Sequence, residues 1–165
     1  MNRSLSPSPL GNTPRPVRAG LVQPVAAVLT DRADDVAVAE AAARIALARR
    51  VPLLLIAVMP PPMRLSSLAP AGAVLARVMP KVGPLRVGYI PEVFHLPPES
   101  GGRLAAAKEL LALASRHRAP EVVASRRGPE GLDAFALIEA AALRGGPYVH
   151  AVAPPTWTPP RLMAH

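Results

Sequence analysis

The chain has 165 residues, enough for one domain with a useful core and short tails but not for two domains of ordinary size. Half of it is apolar, yet only five residues are aromatic and none is cysteine, which excludes a disulfide framework and a thiolate metal site and fits a reducing compartment, taken here as the cytoplasm. The formal charge of +8 raises nucleic acid and anionic surfaces as partners.

Residues 1–22 read as a polar, Pro-rich tail, expected to be disordered or extended, with no apolar stretch of the secretory type. Val25-Ala-Ala-Val-Leu29 is apolar on both faces and suits a central parallel strand ending at Thr30-Asp31. Asp34 or Asp35 can cap a helix running to about Arg50. In it Val38, Ala42, Ile45 and Ala46 share one face, and Glu40, Arg44 and Arg49 reach solvent. Pro52 to Val58 gives the second strand, so strand, helix and strand arrive at the spacing of a right-handed parallel crossover. The longest apolar run, Val51 to Met59, is far shorter than the roughly 20 residues that span a bilayer. No membrane helix is expected.

Met63 to Val82 is punctuated by Pro70, Gly72 and Pro80, which predicts a short or broken helix with Ala71 to Met79 as its regular part. Leu85 to Ile90 alternates as a weaker third strand suited to an edge, with Pro91 as its stop. A helix is expected from about Ser100 to Arg118, with Leu104, Ala107, Leu111 and Ala114 in one stripe and the basic Arg116-His117-Arg118 in its last turn. Glu121 to Ala124 is the fourth strand, and Ser125-Arg126-Arg127-Gly128-Pro129-Glu130-Gly131 is the loop that follows it. Leu132 to Arg144 is a further helix ended by Gly145-Gly146, and Tyr148 to Val152 is the fifth strand. Residues 155–165 form a Pro-rich tail carrying Trp157, the sole tryptophan. An ordered tail that adds to a dimer is favoured there over a free one.

Five strands joined by crossovers specify an α/β domain over residues 23–154: a doubly wound five-stranded parallel sheet with helices on both faces. In such a sheet ligands bind beyond the C-terminal ends of the strands. That places any small-molecule site at the loop after the fourth strand.

The first strand ending in Thr30-Asp31, the Ala-rich helix leading to Ala48-Arg-Arg-Val-Pro-Leu-Leu-Leu-Ile-Ala-Val-Met-Pro-Pro61, and Glu121-Val-Val-Ala-Ser-Arg-Arg-Gly128 followed by a helix and a closing strand resemble the universal stress protein family. The resemblance covers about Val25 to Pro154. It implies strand order 3-2-1-4-5, a homodimer through the last strand, and ATP or AMP as ligand in some members. Nucleotide-binding members carry a loop of Gly, two residues, Gly, nine residues, then Gly with Ser or Thr, because glycines let backbone N–H groups approach phosphate and the hydroxyl adds a donor. Aligned by its strand, this chain has Ala124 and Arg127 at the first two glycines and Leu137-Ile138 at the Gly-Ser position. Starting at Gly128 keeps Gly131 but ends on Ala141-Ala142. Nucleotide binding in the usual manner is therefore not expected. The candidate binding residues are Asp31, which the resemblance places beside adenosine but which equally suits a loop or cap carboxylate, with Ser125, Arg126, Arg127, Gly128 and Gly131.

Other chemistries lack their residues. Asp31, Asp34 and Asp35 invite comparison with phosphoacceptor receiver domains, but the third strand has no acceptor Asp at its end and the fifth has no Lys after it. No dinucleotide or P-loop motif is present. His95, His117, His150 and His165 show no metal-ligand spacing. Ser125 has no nucleophile elbow around it, so no enzymatic activity is expected. Arg126-Arg127 and Arg116-His117-Arg118 could make a basic surface for nucleic acid, but no aromatic residues interleave with them. Between Val25 and Val152 there are 15 Lys and Arg against 11 Asp and Glu, so half the net charge lies in the tails. An arginine-rich, lysine-poor composition is also what a GC-rich genome produces. The expected role is a regulatory or stress-response binding protein, with two alternatives: an altered loop that takes ATP or AMP, and a basic-tailed module for nucleic acid or an unidentified protein partner.

Overall fold

Apolar runs that alternate with amphipathic or Ala-rich segments must bury both faces of a sheet, and in the computed structural model they do so as β1 (Val25–Leu29), α1 (Asp35–Arg49), β2 (Leu53–Met59), α2 (Ala69–Val82), β3 (Tyr89–His95), α3 (Ala105–Arg116), β4 (Glu121–Ser125), α4 (Ala134–Arg144) and β5 (Tyr148–Val152). The structure describes residues 23–62, 69–98 and 101–153. The tail expectations, including that for Trp157, lie outside the described residues.

All strand pairs are parallel and the order is β3-β2-β1-β4-β5, as the resemblance implied. Every residue of β1, β2 and β4 is buried. Alternation splits them between two cores. Val25, Ala27, Leu29, Leu53, Leu55 and Val123 pack with α1 and α2, while Ala26, Val28, Leu54, Ile56, Val122 and Ala124 pack with α3 and α4. Helices therefore cover both faces, and alanines at 39, 42, 43 and 46 let α1 lie close on β1 and β4.

The third strand differs from expectation: it runs from Tyr89 to His95, and Pro91 lies inside it. Leu53 N–H donates to Gly88 carbonyl (2.8 Å) and Leu96 N–H donates to Met59 carbonyl (2.9 Å), so even-numbered residues of β3 turn their backbone groups to β2. Pro91 is odd-numbered, and its missing N–H falls on the open edge, the position at which a strand tolerates proline. The second helix is also longer than expected, 14 residues from Ala69 to Val82. Pro70 sits in the first turn, where its N–H would have no helical partner, and Pro80 falls in the last turn.

Two helix starts shift as well. α3 begins at Ala105 rather than near Ser100, and α4 at Ala134 rather than Leu132, because Asp133 in extended conformation is its N-cap. Gly145, at φ 64°, ends α4 in the left-handed conformation that glycine adopts without strain. Among the described residues, no helix is long and apolar enough to cross a membrane.

Candidate functional site

The loops leaving β1 and β4 lie side by side because those strands are neighbours at the centre of the sheet, where the strand order reverses. A ligand crevice is expected at that point. The side chains there bond chiefly to one another.

Asp35 is 4% exposed, and its carboxylate accepts from Thr30 N–H (2.8 Å) and Arg32 N–H (3.2 Å), which folds the β1–α1 loop into a closed turn. Burial pushes its pKa above the ordinary 3.8; the two backbone donors oppose that rise without cancelling it, and neighbouring Asp34 adds to it. Asp34 is the N-cap residue of α1 but makes no capping bond. Its carboxylate instead accepts the Ser125 hydroxyl, joining the β1–α1 turn to the end of β4. Ser125 Oγ in turn accepts from Arg127 N–H (3.1 Å). The Arg32 guanidinium crosses the same gap to the Arg127 carbonyl (3.3 Å).

Of the expected site residues, Ser125 and Arg127 are thus held at the junction of the two loops. Asp31 is exposed, takes a left-handed φ of 61°, and pairs with Arg77 of α2. Arg126 turns toward α4 and stacks over the Phe135 ring, 5.6 Å from its centroid. Gly128 is required by close packing: a Cβ there would lie 2.8 Å from Asp133 Cα. Gly131 has φ 82°, and a Cβ would stand 3.2 Å from the Arg103 carbonyl. Both glycines fold the loop onto its own backbone and onto the turn before α3.

Sequence reasoning did not assign a site role to Arg32, Arg77, Asp133 or Phe135. The first two act over long sequence separations that no local pattern reveals. Asp133 had a readable signal, a capping residue before an apolar helical stretch. Its carboxylate accepts Ala136 N–H (3.0 Å) and so puts a negative group at the α4 N-terminus, where the helix dipole would otherwise favour phosphate. Only residues 126–133 connect β4 to α4, and from Gly131 only Leu132 and Asp133 remain before the helix. A nine-residue spacer followed by Gly-Ser has no room there. Glu139, a residue that could oppose phosphate, is taken up by Arg103 at 2.6 Å.

Among the described residues the histidines pair separately: His117 with Glu92 (2.8 Å), His150 with Glu121 (3.2 Å), and His95 with the Pro60 carbonyl (3.2 Å). No group of three metal-ligating side chains occurs among the described residues.

No protein-family model matches the chain, and no curated protein does. Solved structures do. The universal stress protein from Archaeoglobus fulgidus aligns at TM-score 0.59 and 15% identity over 80% of this chain and 95% of its own. A universal stress protein in complex with cAMP aligns at 0.58 and 16%, over 80% and 97%. A protein from the universal stress protein family of Burkholderia pseudomallei aligns at 0.55 and 13%, over 81% and 97%. With near-complete coverage of each, and the same five strands in the order 3-2-1-4-5, this chain has the universal stress protein fold.

Proposed function

We propose that the chain is a universal-stress-type regulatory binding protein, cytoplasmic and homodimeric, that acts in a stress response through protein contacts and without catalysis. On this reading the loop after β4 does not take ATP in the usual manner. The observation that carries it is the closure of that loop. Ser125 spends its hydroxyl on Asp34 and takes the Arg127 N–H, and Asp133 places a carboxylate where phosphate would meet α4.

Dimerisation is supported by the free side of β5. Tyr148 N–H donates to the Pro120 carbonyl and Arg126 N–H to the Val152 carbonyl, so the backbone groups of Val149 and Ala151 face the open edge. Tyr148 (67% exposed) lies on that strand and Ile138 of α4 (41% exposed) lies beside Tyr148 and Val149, and a second copy of β5 related by a two-fold axis would cover the edge and shield them.

Calorimetric titration of the full chain with ATP tests the nucleotide part: no saturable heat at millimolar ATP is expected, and saturable binding would overturn it. A second reading, an AMP-like ligand on an altered loop, draws on Gly128 and Gly131 standing three residues apart beside the exposed Arg126 and Arg127. Two of the structures sharing this fold hold such molecules, cAMP in one and dAMP in an Archaeoglobus fulgidus protein. Titration with AMP, repeated on Arg127→Ala, separates the two readings: the second requires saturable heat that the substitution weakens.

A further inference from the structure

A groove of about 890 Å³ opens at the other end of the sheet, away from the loops described above. The last turn of α1 supplies Leu47, its C-cap supplies Arg50, the connector to β2 supplies Val51 and Pro52, the segment before β3 supplies Arg86, and the start of β3 supplies Tyr89. Its size is that of small-molecule sites, and its walls are mostly apolar, which is the usual lining of such sites. Leu47 and Tyr89 are about half exposed, although both are large apolar or aromatic side chains.

The charged groups lining the groove have one sign. Arg50 and Arg86 are its only ionisable lining residues apart from the Tyr89 phenol, no carboxylate lines it, and neither guanidinium is in an ion pair among the described residues. Both arginines also hold left-handed backbone, at φ 56° and φ 53°, as the C-caps of α1 and of the 3-10 turn Gly83–Leu85. Glycine is the low-strain residue at such caps, and strained positions that break a local rule concentrate at functional sites. Two such positions face the same apolar groove.

We propose that this groove binds a small amphipathic carboxylate, with Arg50 and Arg86 holding the carboxylate and the Leu47, Val51, Pro52 and Tyr89 surface covering its apolar body. A guanidinium presents paired donors that match the two oxygens of a carboxylate and is weakly enough hydrated to bind at an apolar surface. The apolar wall selects against small hydrophilic acids, and with no carboxylate among the described lining residues there is no lining charge among them to repel an anion. The site is independent of the loop after β4, so its occupancy does not depend on how that loop treats nucleotides.

Amide chemical-shift titration of the full-length chain with decanoate tests the proposal, with decanol as the body alone and acetate as the headgroup alone. Decanoate is expected to give saturable shifts confined to the amides around Leu47 to Val51 and Arg86 to Ile90, with decanol and acetate at least tenfold weaker. Arg50→Gly and Arg86→Gly suit the positive φ, so both should fold with melting temperatures no lower than the parent while each weakens decanoate at least tenfold. Absence of saturable shifts, equal binding of decanol, shifts centred elsewhere, or unchanged affinity in both glycine variants would each overturn the assignment.

Discussion

The Ser125 hydroxyl donates to the Asp34 carboxylate across 91 positions of sequence, and this bond ties the end of β4 to the start of α1. Replacing Ser125 with alanine removes the donor and leaves both Asp34 and the Arg127 N–H without their partner. Urea denaturation of Ser125→Ala should show a loss of about 1–3 kcal/mol, the range for leaving partly buried groups unsatisfied. A loss under about 0.3 kcal/mol would mean that water replaces the hydroxyl at no cost.

Asp133 caps α4 through Ala136 N–H, and Asp133→Ala should destabilise the protein by about 1 kcal/mol, as caps of this kind do. The same change withdraws the carboxylate from the helix N-terminus. If that carboxylate is what keeps phosphate away, Asp133→Ala should bind inorganic phosphate or ATP more tightly than the parent, measured by calorimetry, despite being less stable.

How far the chain was legible follows from the range over which each feature is decided. β1 and β5 could be read to the residue because each is a local apolar run bounded by turn formers or proline, and Gly145 announced the end of α4. β3 was misplaced because Pro91 reads as a stop in any local pattern. Only the sheet order, which puts β3 at an edge with odd-numbered residues facing outward, makes proline acceptable there. The site had the same limit. The strand order points to where a candidate site would lie and the residues show which signature it lacks, but the bonds of Asp34 with Ser125 and Arg32 with Arg127 exist only once β1 and β4 are adjacent.

The buried Asp35 carboxyl makes stability depend on pH in a defined direction. Its pKa in the folded chain is raised above 3.8 by burial, so the folded state holds the proton more tightly than the unfolded state. Its contribution is therefore fully present below the unfolded value and is lost as pH rises through the folded one. Unfolding free energies of the parent and Asp35→Asn, taken from pH 3.5 to 7, should show the parent losing ground to the variant as pH rises and then levelling off. The opposite slope would mean that the Thr30 and Arg32 N–H groups outweigh burial.

Tyr148 offers the sharpest test of assembly. Its ring stands exposed beside the open side of β5 and meets the His150 ring edge-on, with centroids 4.7 Å apart. On that face of the sheet, α1 leaves Tyr148 uncovered, although its neighbour Val149 on the opposite face is buried in the core with α4. A charged residue at 148 would cost the monomer little, since the position is already in water. In a two-fold dimer through β5 it would be buried against the second copy, where an unpaired charge costs several kcal/mol. Tyr148→Glu should therefore leave the melting of the dilute protein within about 0.5 kcal/mol of the parent, as surface changes usually do, while shifting sedimentation from dimer to monomer at micromolar concentration. A dimer that survives Tyr148→Glu unchanged would place the interface elsewhere, and a parent that sediments as a monomer would remove the dimer altogether.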